Sequence, residues 1–320
     1  MLQPFTGDRW QTSEVIVVVA PGQGSQTPGF LEPWLAESTF RDHLGTLSDA
    51  AGIDLIAHGT TSDADTIRDT KVAQPLIVAA SLMTAAAVLG EERRSRVDGV
   101  AGHSVGEVAA AAISGILSET DAMRLVAERG RAMADAAALE STGMSAVIGG
   151  DETALLERLA ELGLQPANFN GAGQIVVAGA TGALAQLAEN PVAGTRVIPL
   201  QVAGAFHTRY MLPAVSHLEY FAAGLQKNEP SLPIWTNRDG SLIESGTHFI
   251  DLLVGQVSSP VRWDKTMESF AAAGVTGIIE LAPASALVGL AKRALKGVPA
   301  VAVKTPDDLA AAIDLIDGNA

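Results

Sequence analysis

The most continuous apolar run near the start of the chain is Val15 to Ala20, which leads straight into Pro21-Gly22-Gln23-Gly24-Ser25-Gln26. A β-branched run of this kind reads as a strand buried on both faces of an α/β sheet, with a loop at its carboxyl end. Apolar spacing from Val72 to Leu89 predicts a long buried helix, Val97 to Ala101 a strand ending at Gly102, and Val105 to Leu117 an alanine-rich helix. Another helix is expected over Asp121 to Ala138, after which the units shorten. Strands are expected at Met144–Ile148, Ala167–Asn170, Gln174–Ala178 and Thr195–Gln201, with helices at Glu152–Leu162 and Gly182–Glu189.

That βαββαβ order predicts a small ferredoxin-like domain over residues 141–203. Strands near Leu232–Thr236, Gly277–Leu281 and Pro299–Val303 then resume the larger pattern. Residues 1–140 and 204–320 are therefore expected to form one large α/β-hydrolase-like domain with a mostly parallel sheet, interrupted by the small one. The polar residues 1–13 read as an extension without chemistry.

Composition narrows the chemistry. The 320 residues include no cysteine, which excludes disulfides, thiolate metal sites and thiol nucleophiles. With 21 basic and 36 acidic residues the formal charge is −15, against a broad nucleic-acid footprint. Val15–Ala20 is too short to cross a bilayer and the first 14 residues lack a secretory pattern, so a cytoplasmic protein without membrane partners is expected. There is no HExxH pattern and no compact ligand cluster, so no metal is expected.

Gly102-His103-Ser104-Val105-Gly106 is a GxSxG sequence between a predicted strand and a predicted helix, the setting of a nucleophile elbow. Flanking glycines permit the sharp turn, and the next amide, on Val105, can face a developing oxyanion. The isolated letters equally fit a glycine-rich turn capped by a serine. Of the six histidines, His207 in Gly204-Ala205-Phe206-His207 lies where the small unit rejoins the large one, a favourable place for a base. His103 stands too near Ser104 in sequence to aim back at it and reads as a packed brace of the turn. Pro21–Gln26 lacks the lysine of a phosphate loop, leaving a strand-end turn or a site loop.

Taken in order, Pro21–Gln26, Gly102–Glu107 and Gly204–His207 resemble the malonyl-coenzyme A:acyl carrier protein transacylases of fatty acid and polyketide synthesis. Arg129 in Glu128-Arg129-Gly130 and Asn168-Phe169-Asn170 fit the same resemblance, which spans nearly the whole chain. It implies Ser104 as nucleophile, His207 as base, a backbone carbonyl near Gln256 orienting the imidazole, and an oxyanion hole from the amides of Gln23 and Val105. It also implies that Arg129 grips the malonyl carboxylate in a bidentate fashion, which a solvated helix arginine would not do. Phe206 is then expected to narrow the space beside the α-carbon and favour malonyl over methylmalonyl.

The implied reaction is a ping-pong transfer from malonyl-CoA, through a malonyl-serine ester, to the phosphopantetheine thiol of an acyl carrier protein, with no permanently bound cofactor. A monomer suffices for it. An acyl-thioester hydrolase of the same build and a non-catalytic carrier-docking module are the alternatives. Arg209, Arg262, Lys292, Arg293 and Lys296 could attract the anionic partners or be scattered solubilising charge. Ala282-Pro283-Ala284 replaces the family's usual Gly-Pro-Gly, which places the conformation of that loop in question.

Overall fold

The computed structural model describes residues 14–202 and 204–319, so the expectation for residues 1–13 lies outside the described residues. In chain order the strands are β1 Ile16–Ala20, β2 Gly99–Gly102, β3 Thr142–Gly149, β4 Gln165–Gly171, β5 Gln174–Ala180 and β6 Thr195–Pro199. They continue with β7 Ile234–Trp235, β8 Leu242–Ile243, β9 Val261–Arg262, β10 Gly277–Glu280 and β11 Ala300–Ala302. The chain is a mixed α/β protein with two sheets.

A six-stranded sheet has the order β11-β10-β1-β2-β7-β8. Every pairing in it is parallel except the edge pair of β7 with β8. Along β1 and the residue before it, Ile16, Val18 and Ala20 enter one core cluster, whereas Val15, Val17 and Val19 enter another. This alternation explains the unbroken apolar run: both faces of the strand are covered by helices. The first core takes helices Thr70–Leu89, Gly106–Ile113 and Glu119–Ala137; the second takes Trp263–Ala272 and Ala286–Ala294. Thr70–Leu89 is long and apolar enough to cross a bilayer by length and composition, but 83% of its apolar 18-residue stretch is buried inside the fold. It serves as a core helix.

The second sheet has the order β6-β3-β5-β4-β9. Its first four strands pair antiparallel, and β9 joins parallel to β4 from far along the chain. One face packs Val147, Ile175 and Val177 on helices Glu152–Leu162 and Thr181–Glu189. The other face presents Met144 and Val176 toward the larger core, and through it the sheet roofs the cavity described below.

Several elements differ from the sequence reading. The helix expected over Val105–Leu117 spans Gly106–Ile113, because the chain leaves the helix at Ser114 and passes through Gly115 at φ +84°. Helices Ser38–Ala51, Leu55–Thr60 and Ala64–Arg68 were not anticipated. Strands β8 and β9 have two residues each, too few to show a period.

Candidate active site

Strands β1 and β2 lie side by side in register, Ala20 opposite Gly102, so the loops that follow them emerge together at the carboxyl edge of the parallel sheet. This is where open α/β sheets bind ligands. Ser104 sits at the turn with φ +54°, a conformation that costs a non-glycine residue about 1–3 kcal/mol and that recurs at functional sites. The glycines on either side are required by contact. A Cβ on Gly102 would fall 2.0 Å from the Gly106 carbonyl carbon, and one on Gly106 would fall 2.2 Å from the Ala20 carbonyl oxygen.

The Ser104 Oγ lies 2.7 Å from Nε2 of His207, from a segment 103 residues away. His207 also has positive φ, +62°, and its amide donates to the Val257 carbonyl at 2.9 Å. Its Nδ1 lies 2.8 Å from the Gln256 carbonyl oxygen. Because a carbonyl only accepts, Nδ1 carries the proton and Nε2 presents its lone pair to the Ser104 hydroxyl.

Burial, and then the nearby Arg129 cation, push the His207 pKa down to about 3. The imidazole is thus neutral and able to accept a proton at physiological pH. An unfolded histidine titrates near 6.5, so between these values the unfolded chain binds the additional proton and stability is lost as pH falls. From pH 7 to pH 5 the wild type is expected to lose about 2 kcal/mol of unfolding free energy relative to His207→Gln, measured by urea denaturation. A difference that does not change with pH would contradict a buried neutral imidazole.

The peptide of Ser104 is gripped from both sides. Its N–H donates to Asn237 Oδ1 at 2.7 Å, while its carbonyl accepts from the Glu107 amide at 3.0 Å and from Gln256 Nε2 at 3.2 Å. Asn237 Nδ2 donates to the Gly102 carbonyl at 2.7 Å. The amides flanking Val105 are already engaged, Ser104 with Asn237 and Gly106 with the His103 carbonyl, which singles out the Val105 amide as the donor available at the elbow.

A cavity of about 520 Å³ brings together Gln23, Ser104, Val105, Phe206 and His207. Its roof comes from the second sheet, including Met144, Asn168, Asn170 and Val176. His103 Nε2–H donates to Asn170 Oδ1 at 3.0 Å, and the ring meets the Trp263 ring edge-on, the bracing position expected for it.

Arg129 and Gln256 stand one layer behind. Arg129 is 1% exposed; its two terminal nitrogens donate to Gln74 Oε1 at 2.7 Å and Gln256 Oε1 at 2.8 Å, while Nε has no acceptor among the described residues. Burial lowers its pKa to about 10, still a cation at neutral pH. Gln74 lines the cavity directly in front of it. Glu107 is buried beside this pair, accepting from the Asn237 amide and from Gln256 Nε2, both at 2.5 Å. Burial pushes Glu107 up to about 8, a balance that already includes the opposing Arg129 charge and these hydrogen bonds; the geometry nonetheless puts an N–H donor, which cannot accept, on each of its oxygens, the arrangement of an ionised carboxylate.

Gln74, Glu107 and Asn237 were not singled out from sequence. A signal existed for Glu107, the one acidic residue in the otherwise apolar helix Gly106–Ile113. Of the five basic residues proposed for the mouth, Arg293 lines the cavity and donates to Gln174 Oε1 at 3.1 Å. Arg262 is instead paired with Asp264 through two contacts of 2.9 and 2.6 Å, so it is not a free cation. The Ala282–Ala284 loop is held by Ser81 and Thr84, which bond the Ala282 carbonyl and amide.

Residues 17–307 match a family described as an acyl transferase domain. A protein from Mycobacterium tuberculosis named malonyl CoA-acyl carrier protein transacylase is 50% identical over 299 residues, covering 92% of this chain and 98% of that protein. A crystal structure of MCAT from Mycobacterium tuberculosis is similar with a TM-score of 0.91 at 49% identity, covering 94% of this chain and all of that one (100%). A complex of a type II PKS acyl-carrier protein with its malonyl-transacylase gives a TM-score of 0.87 at 32% identity, over 94% of this chain and 99% of that one.

Proposed function

Since the chain belongs to the malonyl-CoA:acyl carrier protein transacylase family, we propose that it moves a malonyl group from malonyl-CoA to the phosphopantetheine thiol of an acyl carrier protein. The observation that carries the assignment is the Ser104–His207 contact of 2.7 Å, with the imidazole tautomer set by the Gln256 carbonyl.

In the first half, Ser104 Oγ attacks the thioester carbonyl while His207 Nε2 takes its proton. The amides of Gln23 and Val105 receive the negative charge on the tetrahedral oxygen. Collapse breaks the carbon–sulfur bond, and the imidazolium returns its proton to the departing coenzyme A sulfur. In the second half the carrier's thiol gives its proton to His207 and attacks the malonyl-Ser104 ester, and the proton then restores the serine hydroxyl. The phosphopantetheine arrives on the carrier, so this sequence needs no resident cofactor. Arg129 meets the malonyl carboxylate beside the Gln74 side chain, which stands between the guanidinium and the cavity and shifts to admit it. The Phe206 ring, lining the same cavity, disfavours an α-methyl group by about 1–3 kcal/mol.

The antiparallel order β6-β3-β5-β4 supports reading residues 141–203 as a ferredoxin-like domain inserted in a hydrolase-like domain of residues 1–140 and 204–320, with β9 added from the latter. Closing the cavity between the two sheets would protect the ester from water.

Intact-mass measurement after mixing the protein with malonyl-CoA, and then with a phosphopantetheinylated carrier, tests the assignment. Malonyl is expected first on this protein and then on the carrier. Free malonate with an unmodified carrier would indicate a hydrolase, and unchanged masses a docking module.

A further inference from the structure

We propose that Glu107 is a positioning residue for this transfer, its carboxylate fixing the Ser104 peptide through Asn237 and the Arg129 guanidinium through Gln256. The inference rests on the transacylase reading and adds a residue that touches neither the reacting atoms nor the substrate.

The geometry forms a directional relay. One Glu107 oxygen accepts from the Asn237 backbone amide, which places the Asn237 side chain on the Ser104 N–H and the Gly102 carbonyl. The other accepts from Gln256 Nε2, which forces the opposite end of that amide, Oε1, toward Arg129. Gln256 Nε2 also faces Asn237 Oδ1 at 3.2 Å, tying the two arms together. All three polar side chains are buried: Glu107 1%, Asn237 0% and Gln256 5% exposed. No solvent can substitute for a lost partner.

The arrangement also solves an electrostatic problem. A buried guanidinium needs a counter-charge, but a carboxylate bonded directly to its fork would compete with a substrate carboxylate. With Gln256 interposed, Glu107 compensates the charge at one remove. Among the described residues, two of the five guanidinium N–H groups are spent, on the side-chain carbonyl oxygens of Gln74 and Gln256.

The isosteric change Glu107→Gln tests this because it reverses one element of polarity. Its new amide presents N–H to Gln256, which must turn its oxygen inward and its own N–H toward Arg129, leaving the guanidinium one acceptor short. Ser104 acylation is to be followed by rapid-quench mass measurement with malonyl-CoA and with acetyl-CoA, which lacks the free carboxylate. The expected result is a malonyl-CoA KM raised about tenfold or more and a malonyl-over-acetyl preference lowered by a similar factor. Acetyl acylation falls only severalfold. An unchanged preference, or equal losses with both donors at unchanged KM, would overturn the proposal.

If Glu107→Gln does not fold, Glu107→Asp keeps the charge and shortens the reach by one methylene. Loss of malonyl preference in that variant supports the relay, and a retained preference refutes it. Wild-type protein that never forms the malonyl ester would instead defeat the transacylase reading itself, so the two failures are distinguishable.

Discussion

Ser104→Ala is expected to abolish the malonyl-enzyme ester and to reduce transfer to the carrier by about 10⁴-fold or more, with little change in the unfolding midpoint. The hydroxyl is the one group within the dyad that forms a bond to the acyl carbon, so nothing in the cavity replaces it. The chain contains no cysteine to act as a substitute nucleophile. Structural damage should be slight: alanine bears the positive φ about as well as serine, the Asn237 grip is on the backbone N–H at this position, and the glycine contacts lie at neighbouring residues. His207→Ala should cost a similar factor, because the two side chains act as one unit and their losses do not add. Residual turnover in either variant would come from the amides that receive the oxyanion and from binding alone. Rapid-quench intact mass reads the result directly, and a wild-type burst of ester in Ser104→Ala would remove Ser104 from the nucleophile's role.

What could be read in the sequence followed from how local its cause was. β1 was legible because a strand covered on both faces needs an unbroken apolar run, and Val15–Ala20 supplies it. The elbow was legible because glycine is demanded there by backbone contacts under 2.5 Å, and such demands fall on residue type. The partnership of Ser104 with His207 depends on a fold that spans 103 residues; the place of His207 where the small unit rejoins the large one marked it as a candidate base, and the resemblance paired it with Ser104. The Gln256 carbonyl is main chain, a contribution any residue can make, so no side-chain pattern can announce it. Arg129 lies on a helix whose buried face includes Val126, Gly130 and Met133. A charged residue on that stripe is normally excluded by desolvation, and it is tolerated here because Gln74, Gln256 and Glu107 converge on it from three other segments. Asn237 and Gln74 escaped notice for the same reason: their value lies in partners far away in sequence.

The remaining large effect concerns that arginine. Arg129→Lys is expected to lower kcat/KM for malonyl-CoA by about 10²-fold, equivalent to about 2.7 kcal/mol, while the same ratio for acetyl-CoA changes by less than about threefold. Alanine is a poorer probe, since it strands Glu107 as an uncompensated buried charge at a cost of about 3–5 kcal/mol and confuses folding with binding. Lysine retains the cation and so keeps Glu107 compensated. Its ammonium, however, is a single point with three donors and cannot bond the Gln74 and Gln256 carbonyls while meeting both oxygens of a carboxylate in a plane. The loss should therefore appear in recognition of the free carboxylate and spare the acyl chemistry at Ser104. Competition between malonyl-CoA and acetyl-CoA for Ser104, read as the ratio of the two ester masses, measures that distinction without requiring a carrier. Equal losses for the two donors would mean that Arg129 acts on the dyad, whose imidazole it already influences electrostatically, and has no part in choosing the acyl group.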